Sequence, residues 1–344
     1  MFLRSSWYVA AWAHELTDQL LARRLLDERI VMHRLSDGTI AAFEDRCPHR
    51  HLPLSMGRKC GDRIQCGYHG MTFDQTGACV AVPSQAAVPR VAQLKAYPAV
   101  ERYGWVWLWM GDAGQADPAL IPDFFRLTDP AYAAVGATNH VQAHYRLITD
   151  NLMDLSHVGF VHTSTIGNQE MGERGKLTLE RSERGVRVVR MVPDVPPPPT
   201  YIKTGILPVG KNIDRWQIID FIAPCFVQIH VGGAEAGTGA LEGRTEHGLN
   251  SWVINAMTPE TATTTHYFWA SARPFALGNP AVDALFRSEV GAAFEEDKGV
   301  IEAQQRVLNE REDSWSVALK ADAGSVEARR MLERLVAAEQ GAGQ

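Results

Sequence analysis

Several features that would settle the class of this chain at once are missing. No apolar stretch approaches the roughly 20 residues that cross a bilayer. No Lys/Arg-rich run is present, and the net charge of −6 is the opposite of the basic footprint a nucleic-acid binder leaves. The apolar patch from Trp7 to Ala13 is cut short by His14 and Glu15, which argues against a secretory signal. These absences predict a cytoplasmic protein with neither membrane nor nucleic acid as a partner. A Gly-x-Gly-x-x-Gly fingerprint is also absent, because Gly237-Thr-Gly239 lacks a third glycine at the needed spacing. NADH or flavin binding of the Rossmann kind is therefore not expected. Cysteine is sparse and odd in number, with five in 344 residues at positions 47, 60, 66, 79 and 225. That gives poor support to a disulfide framework and leaves metal binding open.

What is present has the balance of an ordinary globular protein, with 45% hydrophobic and 22% charged residues, and length enough for two domains. The first hundred residues read as β: Arg29 to Arg34, Thr39 to Glu44 and Arg63 to Cys66 are short segments between turn signals. Trp105, Trp107 and Trp109 alternate with Val106, Leu108 and Met110. Apolar on both faces, that segment predicts a buried strand rather than a binding platform. Gly111 to Pro122 carries Gly-Asp, Asp-Pro and Ile-Pro breaks and reads as a linker, so the domains are set at 1–115 and 116–344. Beyond it, Tyr145 to Val158 reads as helix. Leu177 to Met191, Trp216 to Val231, Ser251 to Met257 and Thr263 to Ala272 read as strands, and a final helical region starts near Val282. Pro193 to Pro208 and Gly232 to Gly248 read as long loops, passive or lid-forming.

Two groups of residues carry chemistry. The first is Cys47-Pro48-His49 with Cys66-Gly67-Tyr68-His69. Two thiolates and two imidazoles in paired short spacings suit either a tetrahedral zinc site or a mixed-ligand [2Fe–2S] cluster. Zinc fingers usually pair Cys with Cys and His with His. Here each motif mixes one of each, as expected when Cys47 and Cys66 hold one iron and His49 and His69 the other.

The second group lies within Asp150 to His162. On a continuous helix Asp150, Asp154 and His157 would share a face, and His162 would lie off it, with Gly159 marking an irregularity. Iron(II) sites that activate dioxygen use two histidines and one carboxylate, leaving other positions open. The late helix offers that carboxylate: Val290, Phe294, Asp297, Ile301 and Leu308 fall near one stripe, and a carboxylate in an apolar stripe is costly unless paired or metal-bound. Glu295 and Glu296 have no such context and read as solvated.

Together these segments resemble the Rieske non-haem iron oxygenases over nearly the whole chain. The likeness is greatest to the short, α-only oxygenases of the vanillate O-demethylase, toluenesulfonate methyl-monooxygenase and dicamba O-demethylase kind. It is carried by Trp7 to Ala10, Cys47 to Arg50, Tyr68 to Gly70, Asp150 to His162, Arg215 to Ile218, Thr258 to Thr261, Ala272-Arg273 and Phe294 to Asp297. The resemblance implies an α+β fold: an all-β Rieske [2Fe–2S] domain, then a helix-grip-like catalytic domain with an antiparallel sheet and a long helix. It implies His157, His162 and Asp297 as ligands of a mononuclear Fe(II), with Asn151 beside the iron. It gives Asp154 a bridging role, its carboxylate hydrogen-bonded to the free ring nitrogens of His157 and of His69 on a neighbouring subunit. A homotrimer and a separate NAD(P)H-dependent reductase are implied as well. The expected reaction is O-demethylation of a methoxylated aromatic acid such as vanillate. Hydroxylation of an aryl sulfonate or carboxylate is the alternative, and a non-catalytic Rieske electron carrier is the reading from another class. Asn255 matches a position where dicamba-type enzymes hold substrate with histidine. His230, Arg244, His266 and Arg273 are the further polar candidates for an anionic headgroup.

Overall fold

The computed structural model describes residues 1–162, 176–310 and 316–341. The chain forms two compact units, Met1–Asp123 with Thr258–Ala262, and Phe124–Met257 with Thr263–Gln344. The stretch that reads as a linker is ordered into short 3-10 turns. Asp112 and Asp117 cap two of them, and the Trp7 indole donates to the Asp117 carbonyl at 2.8 Å.

The first unit is all β. Its strands are β1 (Trp7–Trp12), β2 (Leu21–Leu25), β3 (Glu28–Arg34), β4 (Ile40–Glu44), β5 (Arg58–Cys60), β6 (Arg63–Gln65), β7 (Thr72–Phe73), β8 (Cys79–Ala81), β9 (Ala99–Arg102) and β10 (Trp105–Trp109). They form three antiparallel sheets, ordered β1-β10-β9, β2-β3-β4 and β5-β6-β7-β8. The tryptophan strand is buried on both faces, as its composition predicts, with Trp109 edge-on to Trp7 at 5.6 Å. A separate core of Val31, Phe43, Leu54, Ile64 and Phe73 encloses Cys47 and Cys66. None of the five cysteines forms a disulfide.

The second unit is built on a seven-stranded antiparallel sheet. Its elements in chain order are β11 (Ala133–Val141), α1 (Tyr145–Met153), α2 (Val158–Val161), β12 (Lys176–Arg181), β13 (Gly185–Val195), α3 (Pro199–Lys203), β14 (Ile213–Ile222), β15 (Phe226–Glu235), β16 (Leu249–Pro259), β17 (Thr265–Arg273), α4 (Pro280–Glu310) and α5 (Ala323–Gly341). The sheet order is β11-β17-β16-β15-β14-β13-β12, a meander closed by the early strand β11. The long helix α4 packs on it, with Phe294 against Tyr267 and Trp269 at 5.2 and 5.3 Å. This is the α+β arrangement implied by the resemblance. Among the described residues no helix is long and apolar enough to cross a membrane.

Several sequence readings need correction. The helix from Tyr145 to Val158 ends at Met153, because Asp154 turns extended and caps the next 3-10 turn (Leu155–His157) through Ser156. Asp150, Asp154 and His157 therefore do not share one helical face. The proline run is no open loop, since Pro199 starts α3 and seats a buried Tyr201. Gly232 and Gly233 lie inside β15, and Gly232 has no room for a side chain: a Cβ there would meet the Trp216 ring at 2.1 Å. Each of the readings from Leu177 to Met191 and from Trp216 to Val231 spans a hairpin of two strands. Of the apolar stripe on α4, Phe294, Asp297 and Ile301 are buried, whereas Leu308 is 42% exposed.

Candidate functional site

Two loops of the first unit repeat one design. Cys47 N donates to Leu52 O and His51 N to Cys47 O, both at 2.9 Å; Cys66 N donates to Met71 O and Gly70 N to Cys66 O, at 2.8 and 3.1 Å. The left-handed residue occupies the same place in each, His51 with φ of 60° and Gly70 with φ of 72°. The loops bury Cys47 and Cys66 in the core and leave His49 and His69 at the surface, with ring centroids 4.5 Å apart. Burial pushes the Cys47 thiol up, and the backbone amides of His49 and Arg50 oppose this by hydrogen bonding to the sulfur. No three ligand atoms of this quartet converge within 4.8 Å, as a single tetrahedral zinc would require. Thiolates inside and imidazoles outside fit a two-iron cluster, with the sulfurs on one iron and the rings on the other.

In the second unit the His157, His162 and Asp297 ligand atoms lie within 4.8 Å of one another, the one such grouping among the described residues. The two imidazoles come from the broken segment after α1, and the carboxylate from the middle of α4. His157 Nε2 is 3.4 Å and His162 Nε2 3.2 Å from Asp297 Oδ1. Each ring is held by its other nitrogen. His157 Nδ1 lies 2.6 Å from the Asp154 carbonyl, which can only accept, so Nδ1 carries the proton and Nε2 is left as a lone-pair donor. His162 Nδ1 lies 2.7 Å from Glu296 Oε2. Asn151 Nδ2 donates to Asp297 Oδ1 at 2.9 Å, while its own Oδ1 is buried without a partner. Burial opposes ionisation of Asp297, but hydrogen bonds and charge from His157 and His162 outweigh it and hold the carboxyl well below the usual range. Two imidazole nitrogens and an ionised carboxylate on one side of an open cavity fit a mononuclear iron(II) with free positions.

Two expectations about this centre change. The Asp154 carboxylate does not reach the His157 ring. It accepts from Ser156 N and Oγ at 2.9 and 2.8 Å and lies 3.7 Å from Arg190, so the backbone of Asp154, not its side chain, orients His157. Glu296, read as solvated, is the partner of His162. Its signal in the sequence was adjacency to Asp297, but on a helix that places it about 100° around the axis, so only the fold shows what it meets.

A cavity of about 110 Å³ opens at the triad. Apolar residues of α4 and the sheet, including Phe286, Val290, Phe294, Ile229, Val231 and Val253, make most of its wall. None of the five polar substrate candidates is among its lining residues. Asn255 is buried in the sheet, bonded to Val227 O and Tyr267 Oη. His230 bonds Asn250 at 2.8 Å and stacks on Trp252, and burial pushes its pKa down. Arg244 is on the surface, His266 packs against His140, and Arg273 is buried in an ion pair with Asp283. His230 and His266 alternate to the opposite face of the sheet and Arg244 lies in a loop, whereas Asn255 and Arg273 share the cavity's face but lie beyond its lining, tied to Tyr267 and Asp283. Besides Asn151 and the triad, the polar residues that do line the cavity are Thr200, Tyr201, Arg215, Gln217 and Ser251. Asn151 and His157 also border a second, larger cavity, which Asp150, Asp154 and Arg329 help to line.

Residues 6–98 match the family model described as the Rieske [2Fe-2S] domain, and residues 141–338 the one described as the vanillate O-demethylase oxygenase C-terminal domain. The chain is 38% identical over 348 residues to the iron-sulfur subunit of the toluene-4-sulfonate monooxygenase system of Comamonas testosteroni, with 99% of each covered. It is also 38% identical to the vanillate O-demethylase oxygenase subunit of a Pseudomonas strain, over 99% of this chain and 96% of that one. Among solved structures, dicamba monooxygenase bound to dicamba superimposes with a TM-score of 0.90 at 34% identity, over 99% of both chains.

Proposed function

The chain belongs to the Rieske non-haem iron oxygenases, as the oxygenase component of a monooxygenase system, and we propose that it O-demethylates a methoxylated aromatic acid such as vanillate. The observation that carries the proposal is the His157–His162–Asp297 grouping at the end of an apolar cavity, in a chain that also carries a Rieske domain. Residues 1–115 would hold the cluster through Cys47, His49, Cys66 and His69, and residues 116–344 the iron and the substrate. When bound, the cluster supplies electrons and the iron activates O₂. The protein's own groups do the rest. The Asp154 carbonyl and Glu296 fix the two imidazoles with Nε2 inward, Asn151 steadies Asp297, and the apolar wall excludes water from the reacting methyl group. Hydroxylation of that methyl gives a hemiacetal that collapses to phenol and formaldehyde.

The electrons come from a separate reductase, as in the multi-component systems of the relatives. We take the reductase to be NAD(P)H-dependent and the oxygenase to be a cytoplasmic homotrimer, with each cluster serving the neighbour's iron. The Asp154 carboxylate, which lines the second cavity, is the group that would meet the neighbour's His69. Formaldehyde release from vanillate, with NADH, O₂ and a matched reductase, is the expected result. NADH consumption with no formaldehyde would sink the demethylase reading. Hydroxylation of an aryl sulfonate or carboxylate is the second reading, favoured by the toluene-4-sulfonate relative and by the buried Arg215 in the cavity wall. An electron carrier has no use for the triad and its cavity, which counts against the third.

A further inference from the structure

The register of the large sheet determines which side chains face the cavity. Arg215 pairs with Gly233 and Gly233 with Leu249; Gln217 pairs with Val231 and Val231 with Ser251; Ile229 pairs with Val253. Residues two apart on a strand share a face, so these form successive rows of one wall. Arg215 and Gln217 are neighbours on that wall, and opposite Arg215 the strand has Gly233, whose side-chain place is taken by Ile213 Cδ1, 2.5 Å from where a Cβ would stand. Arg215 is 3% exposed, and it is the one arginine or lysine among the described residues that line the cavity. Its guanidinium stands 5.1 Å from the centre of the Tyr201 ring. Gln217 is 2% exposed, and its side-chain oxygen has no hydrogen-bond partner. A half-turn of that amide would present its N–H groups instead.

The same end of the cavity can be placed along α4. Thr200, next to Tyr201, bonds Glu289 at 3.2 Å, and Lys203 bonds it at 2.6 Å. Glu289 lies eight residues before Asp297, which is about 12 Å along the helix axis. Phe286, Val290, Ala293 and Phe294 line the cavity over that part of the helix. The cavity thus has a cationic end, an apolar middle and a triad end. A guanidinium is charged at every working pH, and its planar fork matches two oxygens of a carboxylate or sulfonate.

We propose that Arg215, with Gln217 beside it, is the anion-binding end of the cavity, holding the carboxylate or sulfonate of a single-ring aromatic substrate whose other end meets the triad. This rests on the monooxygenase reading with an acid as substrate and names the side chains that hold the acid group. Arg215 acts here as a specificity residue, not as part of the oxidation.

Equilibrium binding to the anaerobic holoenzyme tests it by calorimetry. The anions are 4-methoxybenzoate and toluene-4-sulfonate; the uncharged counterparts are 4-methoxybenzamide and toluene-4-sulfonamide. The wild-type protein is expected to bind at least one anion about tenfold or more tightly than its amide. Arg215→Gln should weaken that anion about tenfold or more and leave the amide within roughly twofold, while Arg215→Lys falls between. Which anion is preferred tells carboxylate from sulfonate. The proposal is overturned by equal binding of acid and amide in the wild-type protein, by binding of neither anion, or by undiminished anion binding in a folded Arg215→Gln. The first two comparisons need no variant, so a misfolded mutant cannot shelter it. Failure of the demethylase reading looks different: 4-methoxybenzoate binds through Arg215 but yields no formaldehyde.

Discussion

The two imidazoles of the triad are held by partners of different kinds, a backbone carbonyl for His157 and the Glu296 side chain for His162. Only the second can be removed by substitution. Glu296→Ala is expected to weaken retention of the mononuclear iron about 10- to 100-fold in competition with a chelator. The visible spectrum of the cluster should not change, and Glu296→Gln should recover part of the loss. A second residue-scale expectation concerns His144, whose Nδ1 accepts from Arg146 N at the start of α1. Burial, with help from Arg146, lowers its pKa to about 4. The sign follows from linkage: the unfolded chain takes up this proton near pH 6.5, whereas the folded protein does so only near pH 4. Stability from this group is therefore complete above pH 6.5 and lost as pH falls toward 4, by about 2–3 kcal/mol. Urea melts at pH 7.5 and 5 should show a smaller acid loss in His144→Asn than in the wild-type protein. At this scale the ligand types were legible, because Cys47-x-His49, Cys66-x₂-His69 and His157-x₄-His162 are local. The partners of those ligands were not, since Glu296 and the Asp154 carbonyl meet them only after α1 has ended and α4 has packed.

The end of α1 at Met153 is the element-scale event that makes the candidate metal centre. An unbroken helix would carry His157 away along its axis; the extended Asp154 and the short turn after it let His157 and His162 aim at one carboxylate. The terminal helix α5 supports α1 from behind. Arg329 pairs with Asp150, and Gly324 sits so close to β13 that a Cβ would meet Val188 Cγ2 at 2.5 Å and Met153 Cε at 3.3 Å. Gly324→Ala should therefore cost about 1–3 kcal/mol through overpacking, read as a lower Tm with unchanged cluster absorbance. A variant as stable as the wild type would mean that α5 can shift away without loss. Strand composition revealed that the sheet exists, but hairpins such as Ile213 to Glu235 merged into single readings. Apolar residues there run through the turn at Ala223 to Cys225, so periodicity alone could not divide them.

For the molecule as a whole, the two metal centres should come apart chemically. A chelator under mild reducing conditions is expected to remove about one iron of three per chain. Formaldehyde formation would be lost while the cluster spectrum stays, and added Fe(II) would restore it. Loss of all three together would contradict separate sites. Analytical ultracentrifugation should give a mass near three times that of the chain, and a stable monomer would remove the inter-subunit route. Sequence alone marked the candidate cluster ligands and pointed to the α+β class and the family, because each depends on residue types at short spacing or on likeness along the chain. It also picked Asp297 out of α4, since a carboxylate in an apolar stripe needs a reason to be there. Only the tertiary structure decided that the five polar residues first suspected of holding substrate lie off the cavity, and that Arg215 and Gln217 line it. Alternation along a strand says which residues share a face, but which face is inside depends on the register with strands far away in sequence and on the helix that covers them.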